Sequence, residues 1–201
     1  LDIRGAGNLL GAEQSGFITD MGFETYQKIL SEAMEELGVE TGLTSGNIKG
    51  SYVSDCTIET DQLALIPDSY ISLSAEKIRI YKELDSLGSD SEIETVKSRL
   101  EDRFGPIPEE LAALLMIVRI RHRGEKLGFE KIIIKNGIMI LFFINNPMSQ
   151  YYKSPVFQSV IESLNKNHDF ELKQNDNRLR LVNRKVESLD KAYALLGKLG
   201  K

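Results

Sequence analysis

The chain has 201 residues, with 25 Lys and Arg against 30 Asp and Glu, a formal net charge of −5 and a single cysteine. That length suits one domain with a proper core, or one domain plus an appendage, and the acidic balance argues against broad, sequence-independent DNA binding by the whole chain, since neutralising phosphates takes a basic surface. Cys56 cannot form an internal disulfide, with only His122 and His168 beside it no recognised zinc spacing exists, and no stretch approaches the roughly 18 apolar residues of a membrane span. The expectation is therefore a soluble, cytoplasmic chain without structural metal or membrane partner, with local basic patches still open.

Residues 4–16, RGAGNLLGAEQSG, hold four glycines. Gly5, Gly7 and Gly11 read G-x-G-x-x-x-G, not the G-x-G-x-x-G of a dinucleotide turn, and the Gly-Lys-Ser/Thr ending of a P-loop is absent. The start at Leu1, inside this loop, leads to the expectation of a piece cut from a longer polypeptide. Phe23, Tyr26, Ile29, Leu30, Ala33 and Leu37 then recur at steps of three and four before Gly38, which predicts an amphipathic helix over 21–38. Residues 39–55, rich in Gly, Ser and Thr, read as a linker.

From Cys56 the pattern tightens. CTIETDQLALIP predicts a strand ended by Pro67, and SLSAEKIRIYKELDSLG a helix capped by Ser72 or Ser74 and closed by Gly88. Ser89 and Glu92 have capping-box spacing, and Ile93, Val96, Leu100 and Phe104 form one stripe before Gly105. Pro108 suits the first turn of the next helix, which buries Leu111, Leu114, Leu115 and Val118 and ends at Gly128. EKIIIKNGIMILFFI predicts a hairpin around Asn136-Gly137 with both strands in the core. A helix from Ser154-Pro155, a second hairpin of FELKQ and RLRLVN, and a last helix carrying Leu189, Tyr193, Leu196 and Leu199 complete the chain. Hairpin-joined strands with helices bunched before and between them predict an α+β domain over 56–201. It has about five helices and antiparallel hairpins, preceded by a helical arm.

Two charged groups invite a chemical reading. Arg119, Arg121, His122, Arg123 and Lys126 cluster near a helix end. They suit nucleic acid, but cations at a helix C-terminus are also simply favourable to its dipole. The carboxylates of Glu101 and Asp102, adjacent in sequence, point roughly 100° apart on a helix, so they do not converge as an acid/base pair. No nucleophile-base constellation supports an independent hydrolase. A stand-alone nucleic-acid-binding domain remains the alternative reading.

LDIRGAGNLLGAEQSG followed by MGFETYQKIL resembles the bacterial transcription-repair coupling factor family. The related branch-migrating helicases share R-G-x-G-x-x-x-G-x-x-Q-S-G. LALIPDSYI, RIYKEL and DRFGPIPEE followed by KLG are similar to the family's C-terminal domain, which those helicases lack. The resemblance implies that residues 1–20 end the TRG motif, which couples ATP hydrolysis to movement along double-stranded DNA. Arg4 and Gln14 match its motif arginine and glutamine, beside Gly5, Gly7, Gly11, Ser15 and Gly16. It implies that 21–38 is the hook returning along the motor, and that 56–201 is a non-catalytic domain packing against a UvrB-like N-terminal module and masking the surface that recruits UvrA. Glu101, Asp102, Arg103 and Phe104 fall in that contact, with Arg99 standing where some relatives have an acid. In the parent the implied function is displacement of stalled RNA polymerase and recruitment of excision repair. ATP and magnesium belong to its motor lobes, and no cofactor belongs to this piece.

Overall fold

The computed structural model describes residues 52–175 and 178–200. The glycine loop, the 21–38 segment and positions 39–51 of the expected linker lie outside the described residues. The element order is β1 (Thr57–Thr60), α1 (Ser74–Ser86), α2 (Asp90–Phe104), α3 (Glu109–Leu127), β2 (Phe129–Lys135), β3 (Ile138–Phe143), a 3-10 turn (Gln150–Lys153), α4 (Pro155–Lys166), β4 (Glu171–Asn175), β5 (Arg178–Asn183) and α5 (Leu189–Leu196). The strands form one sheet in the order β1-β2-β3-β5-β4. The fold is α+β, as expected.

Both hairpins form. Asn136 and Gly137 adopt φ of 52° and 73°, the left-handed pair that a two-residue turn needs to match strand twist. Leu141 consequently faces Ile132, and Leu181 pairs with Leu141 on the next strand. The parallel pairing of β1 with β2 is a departure. Three helices, α1 to α3, supply the long crossover that a parallel neighbour requires, so the sheet is mixed.

Other differences have local causes. The strand expected to reach Pro67 stops at Thr60, because the backbone beyond it is drawn onto the helices: Leu65 N–H donates to Glu110 O at 3.3 Å and Ile66 N–H to Tyr81 Oη at 2.9 Å. Neither Ser72 nor Ser74 caps α1; Leu73 holds the N-cap position without a side-chain bond. Gly88 does not close that helix either, since its N–H donates to Glu92 Oε2 at 2.8 Å and so serves the start of α2. Pro108 is the N-cap of α3 instead of a first-turn residue.

Two cores meet at α3. One sheet face, through Ile58, Ile132, Ile134, Met139, Leu141, Phe143 and Leu181, joins Ile117, Ile120 and Leu127 of α3 and Leu189, Leu195 and Leu196 of α5. On the other side Leu111, Leu114, Leu115 and Val118 pack with Ile80 and Leu84 of α1 and Ile93, Val96 and Leu100 of α2. From Leu111 to Val118 the helix is apolar all round, as a helix buried on both sides must be, and α3 is the wall shared by both layers. The β2–β3 hairpin is only half in the core: Ile133, Ile138, Ile140 and Phe142 alternate onto the opposite sheet face and stay partly exposed.

Candidate protein-interaction site

The sequence directs attention to the end of α2, and its geometry follows from how that helix is anchored. At its start Ser89 accepts from Glu92 N–H, and Ser89 Oγ and Gly88 N–H both bond the Glu92 carboxylate; these bonds hold its carboxyl below the usual range. The stripe of Ile93, Val96 and Leu100 is buried. At the far end Gly105 turns out with φ of 90°, returning its N–H to Glu101 O at 2.9 Å. Tyr70 Oη lies 3.0 Å from Leu100 O and 2.9 Å from Gly105 O, so its one hydroxyl proton ties the end of the helix to the Tyr70 segment. Its ring packs on Phe104 at 5.7 Å.

The charged residues of this end sort by direction. Arg99 grips Glu83 of α1 at 2.8 and 2.5 Å, and Arg103 grips Glu76 at 2.6 and 3.2 Å while lying 4.8 Å from the Phe104 ring centroid. Glu101 and Asp102 are exposed. Among the described residues neither side chain has a hydrogen bond or ion pair. Both carboxylates occupy the last turn of a helix, where the dipole disfavours negative charge by about 0.3–1 kcal/mol each. Of the four expected contact residues, then, Glu101 and Asp102 face outward, whereas Arg103 and Phe104 are spent on holding α2 to α1 and the Tyr70 segment. Sequence reasoning missed the two arginine clamps, because their partners lie 16 and 27 positions away and no local pattern links them. Arg4, Gly5, Gly7, Gly11, Gln14, Ser15 and Gly16 lie outside the described residues.

The three arginines of the basic cluster on α3 are engaged within the fold. Arg119 pairs with Glu94; Arg121, nearly fully buried, bonds Asp85 Oδ1 at 2.5 Å and Asp85 O at 3.0 Å. Arg123 stacks on Tyr193 at 3.7 Å and lies 3.7 Å from Asp90. His122 is buried and held down to about 4, first by loss of water and then by Arg121 and Lys126. Only Lys126 of the five stands exposed. Cys56 is a buried free thiol whose pKa is pushed up by burial, the opposite of a reactive cysteine. Among the described residues no group of three His, Cys, Asp or Glu could hold a metal ion, and no helix is long and apolar enough to cross a membrane.

Residues 60–154, which contain α1, α2, α3 and the exposed acidic pair, match the TRCF domain family. The chain carries a TRCF domain. The transcription-repair-coupling factor of Rickettsia bellii is 37% identical over 150 residues, covering 74% of this chain and 13% of that protein. The Escherichia coli factor of the same name is 37% identical over 134 residues, covering 66% and 11% respectively. The chain thus spans a small fraction of the length of these relatives. A crystal structure of the C-terminal domain of transcription-repair coupling factor superposes with a TM-score of 0.59 at 23% identity, covering 71% of this chain and 88% of that one. At that identity the likeness concerns the fold: the mixed sheet with its helical layers is the fold of that C-terminal domain.

Proposed function

We propose that this chain is the C-terminal part of an ATP-dependent DNA translocase that removes stalled RNA polymerase and couples transcription to excision repair, and that its TRCF domain acts as a non-catalytic lid. In this reading Arg4 to Gly16 end the motor's coupling loop, while ATP, magnesium and double-stranded DNA are bound by motor lobes elsewhere in the parent. The lid covers the parent's UvrB-like module and thereby its UvrA-recruiting surface. The observation that carries it is the unengaged acidic pair at the negative end of α2. Among the described residues the carboxylates of Glu101 and Asp102 have no hydrogen bond or ion pair, and a basic partner would relieve the dipole penalty that they carry. The stand-alone nucleic-acid reading is disfavoured, because three arginines of the basic cluster are occupied by Glu94, Asp85, Asp90 and Tyr193. The experiment is a titration of UvrA against the parent protein with and without residues 56–201. Tighter binding on deletion is the expected result, and unchanged affinity removes the lid.

A further inference from the structure

Ser89, Ser154 and Ser188 occupy the N-cap positions of α2, α4 and α5, and each side chain accepts a backbone N–H of the first turn, the arrangement that stabilises a helix start. At α1 that position falls to Leu73, although serines stand on both sides of it in the chain. No side chain caps α1 there, and leucine is among the poorest N-cap residues. The leucine is also 68% exposed, so it gains little of the burial that would offset the missing cap.

A second unfavourable choice lies next to the first. Tyr70, three residues before Leu73, packs its ring on Phe104 at 5.7 Å, and Glu76, three residues after it, takes Arg103 at 2.6 Å. Leu73 is thereby held beside the last turn of α2, the turn that carries Glu101 and Asp102. Those acids sit at the negative end of a helix dipole, and among the described residues neither has an ion pair or a side-chain hydrogen bond. An exposed leucine where serine caps better, and two carboxylates where cations do better, thus fall on one spot. Departures from local preference collect where a surface serves something other than the stability of its own fold.

We infer that Leu73 is the apolar anchor of the lid contact, seated in a hollow of the parent's UvrB-like module whose rim is basic and meets Glu101 and Asp102. The inference rests on the lid reading and specifies the partner surface: a nonpolar socket wide enough for one leucine, ringed by lysine or arginine. Carboxylates without a partner in this chain select that occupant. A second copy would set them against their own kind, and nucleic acid would set them against phosphates. The two parts of the contact divide the work, since exposed charges are screened and mainly orient the approach, whereas burial of the leucine holds the closed form.

The test is a titration of UvrA against the parent protein intact, lacking residues 56–201, and carrying Leu73→Ser or Leu73→Met. Deletion is expected to tighten apparent binding most. Leu73→Ser should tighten it about tenfold, through loss of most of one leucine's burial in the closed form. Leu73→Met keeps an apolar side chain of similar volume and should stay within about twofold of the intact protein. In this chain by itself Leu73→Ser supplies the missing cap, so its urea midpoint should hold or rise. Tighter binding on deletion but not with Leu73→Ser would overturn the anchor and leave the lid standing. No effect of deletion would remove the lid and the anchor with it. Equal tightening by Leu73→Ser and Leu73→Met, or a lower midpoint for Leu73→Ser, would also overturn the anchor, because the leucine would then act through the fold of its own domain.

Discussion

Arg103 closes on Glu76 from across two helices, Nη1 to Oε1 at 2.6 Å and Nη2 to Oε2 at 3.2 Å, and this inward grip leaves its neighbours Glu101 and Asp102 to solvent. The clamp is itself more than half exposed on the arginine side, so screening limits its worth to about 1 kcal/mol or less. The Tyr70 hydroxyl, part-buried against Leu100 O and Gly105 O, has no comparable solvent to replace it. Tyr70→Phe should cost about 1–2 kcal/mol and Arg103→Ala less, read from urea midpoints with unchanged slopes. The reverse order would mean that the clamp, not the tyrosine, secures the end of α2.

Two glycines with similar backbones should respond very differently. Gly128 has φ of 80°, and a Cβ there would come within 2.1 Å of the Tyr151 ring, which is fully buried and bonded through its hydroxyl to Leu127 O at 2.7 Å. Gly128→Ala combines left-handed strain with a clash that the ring cannot escape, and should cost about 3 kcal/mol or more. Gly137 has φ of 73° with nothing within 4 Å of its missing Cβ, so Gly137→Ala should cost only about 1 kcal/mol. Thermal unfolding of the two variants side by side decides this; equal losses would contradict the crowding argument.

His122 and Glu125, both buried on α3, give opposite pH dependences. Burial holds His122 down to about 4 from 6.5, aided by Arg121 and Lys126 and opposed by Asp90 and Glu92. Its contribution is full above 6.5 and is lost as pH falls toward 4, since the unfolded chain takes the proton first. Burial pushes Glu125 up to about 7 from 4.5, against the pull of Arg121. That contribution is full below 4.5 and is lost as pH rises through 7. Between those limits the slopes oppose, so the wild type should vary little from about pH 5 to 6. His122→Leu should expose a stability that falls as pH rises to 7, and Glu125→Gln one that rises up to about 6.5, each by roughly 1–3 kcal/mol. Urea unfolding from pH 4.5 to 8 checks it, and three parallel profiles would rule out the assignment.

What was legible in the sequence was local. The capping box at Ser89 and Glu92, the Asn136-Gly137 turn and the stops at Gly105 and Gly128 each rest on one residue's backbone freedom or one short-range bond, and all formed. What was not legible depended on distant partners. Four-residue β1 has too few positions to show a period, and its place beside β2 is set by how α1 to α3 return the chain. The same holds at the site: the stripe of α2 was readable, but Arg99 turning to Glu83 depends on the angle of α1, which no spacing encodes. The apolar run of β3 was readable as core, yet periodicity could not say that, among the described residues, only one of its faces joins a core cluster.

The motor-coupling assignment predicts a separation of activities in the parent translocase. Arg4 and Gln14 are proposed to transmit lobe movement, one through a guanidinium that can bridge carboxylates or phosphates and the other through an amide that both donates and accepts. Neither would touch nucleotide. Arg4→Ala or Gln14→Ala should therefore leave appreciable ATP hydrolysis and little displacement of stalled polymerase, measured on the same preparation. Loss of both activities in parallel, or survival of both, would remove these residues from the coupling path.

The lid reading makes a graded prediction for charge at the end of α2. If the closed form is favoured by about 2.7 kcal/mol, roughly one parent molecule in a hundred is open, and deleting residues 56–201 should tighten apparent UvrA binding about a hundredfold. Charge reversal acts only on the rim. Asp102→Lys should loosen the lid by no more than about 1 kcal/mol, and the Glu101→Lys, Asp102→Lys pair by somewhat more, because exposed pairs are screened. Both substitutions would in addition favour the helix dipole, so the isolated chain should be as stable as before or slightly more so. That combination separates an interaction role from a structural one: UvrA affinity rises while the domain's own unfolding midpoint holds or increases. A double variant that unfolds more readily would contradict it. So would equal UvrA affinity in the intact parent, its Asp102→Lys variant and the parent lacking the domain, because the acidic end of α2 would then mask nothing.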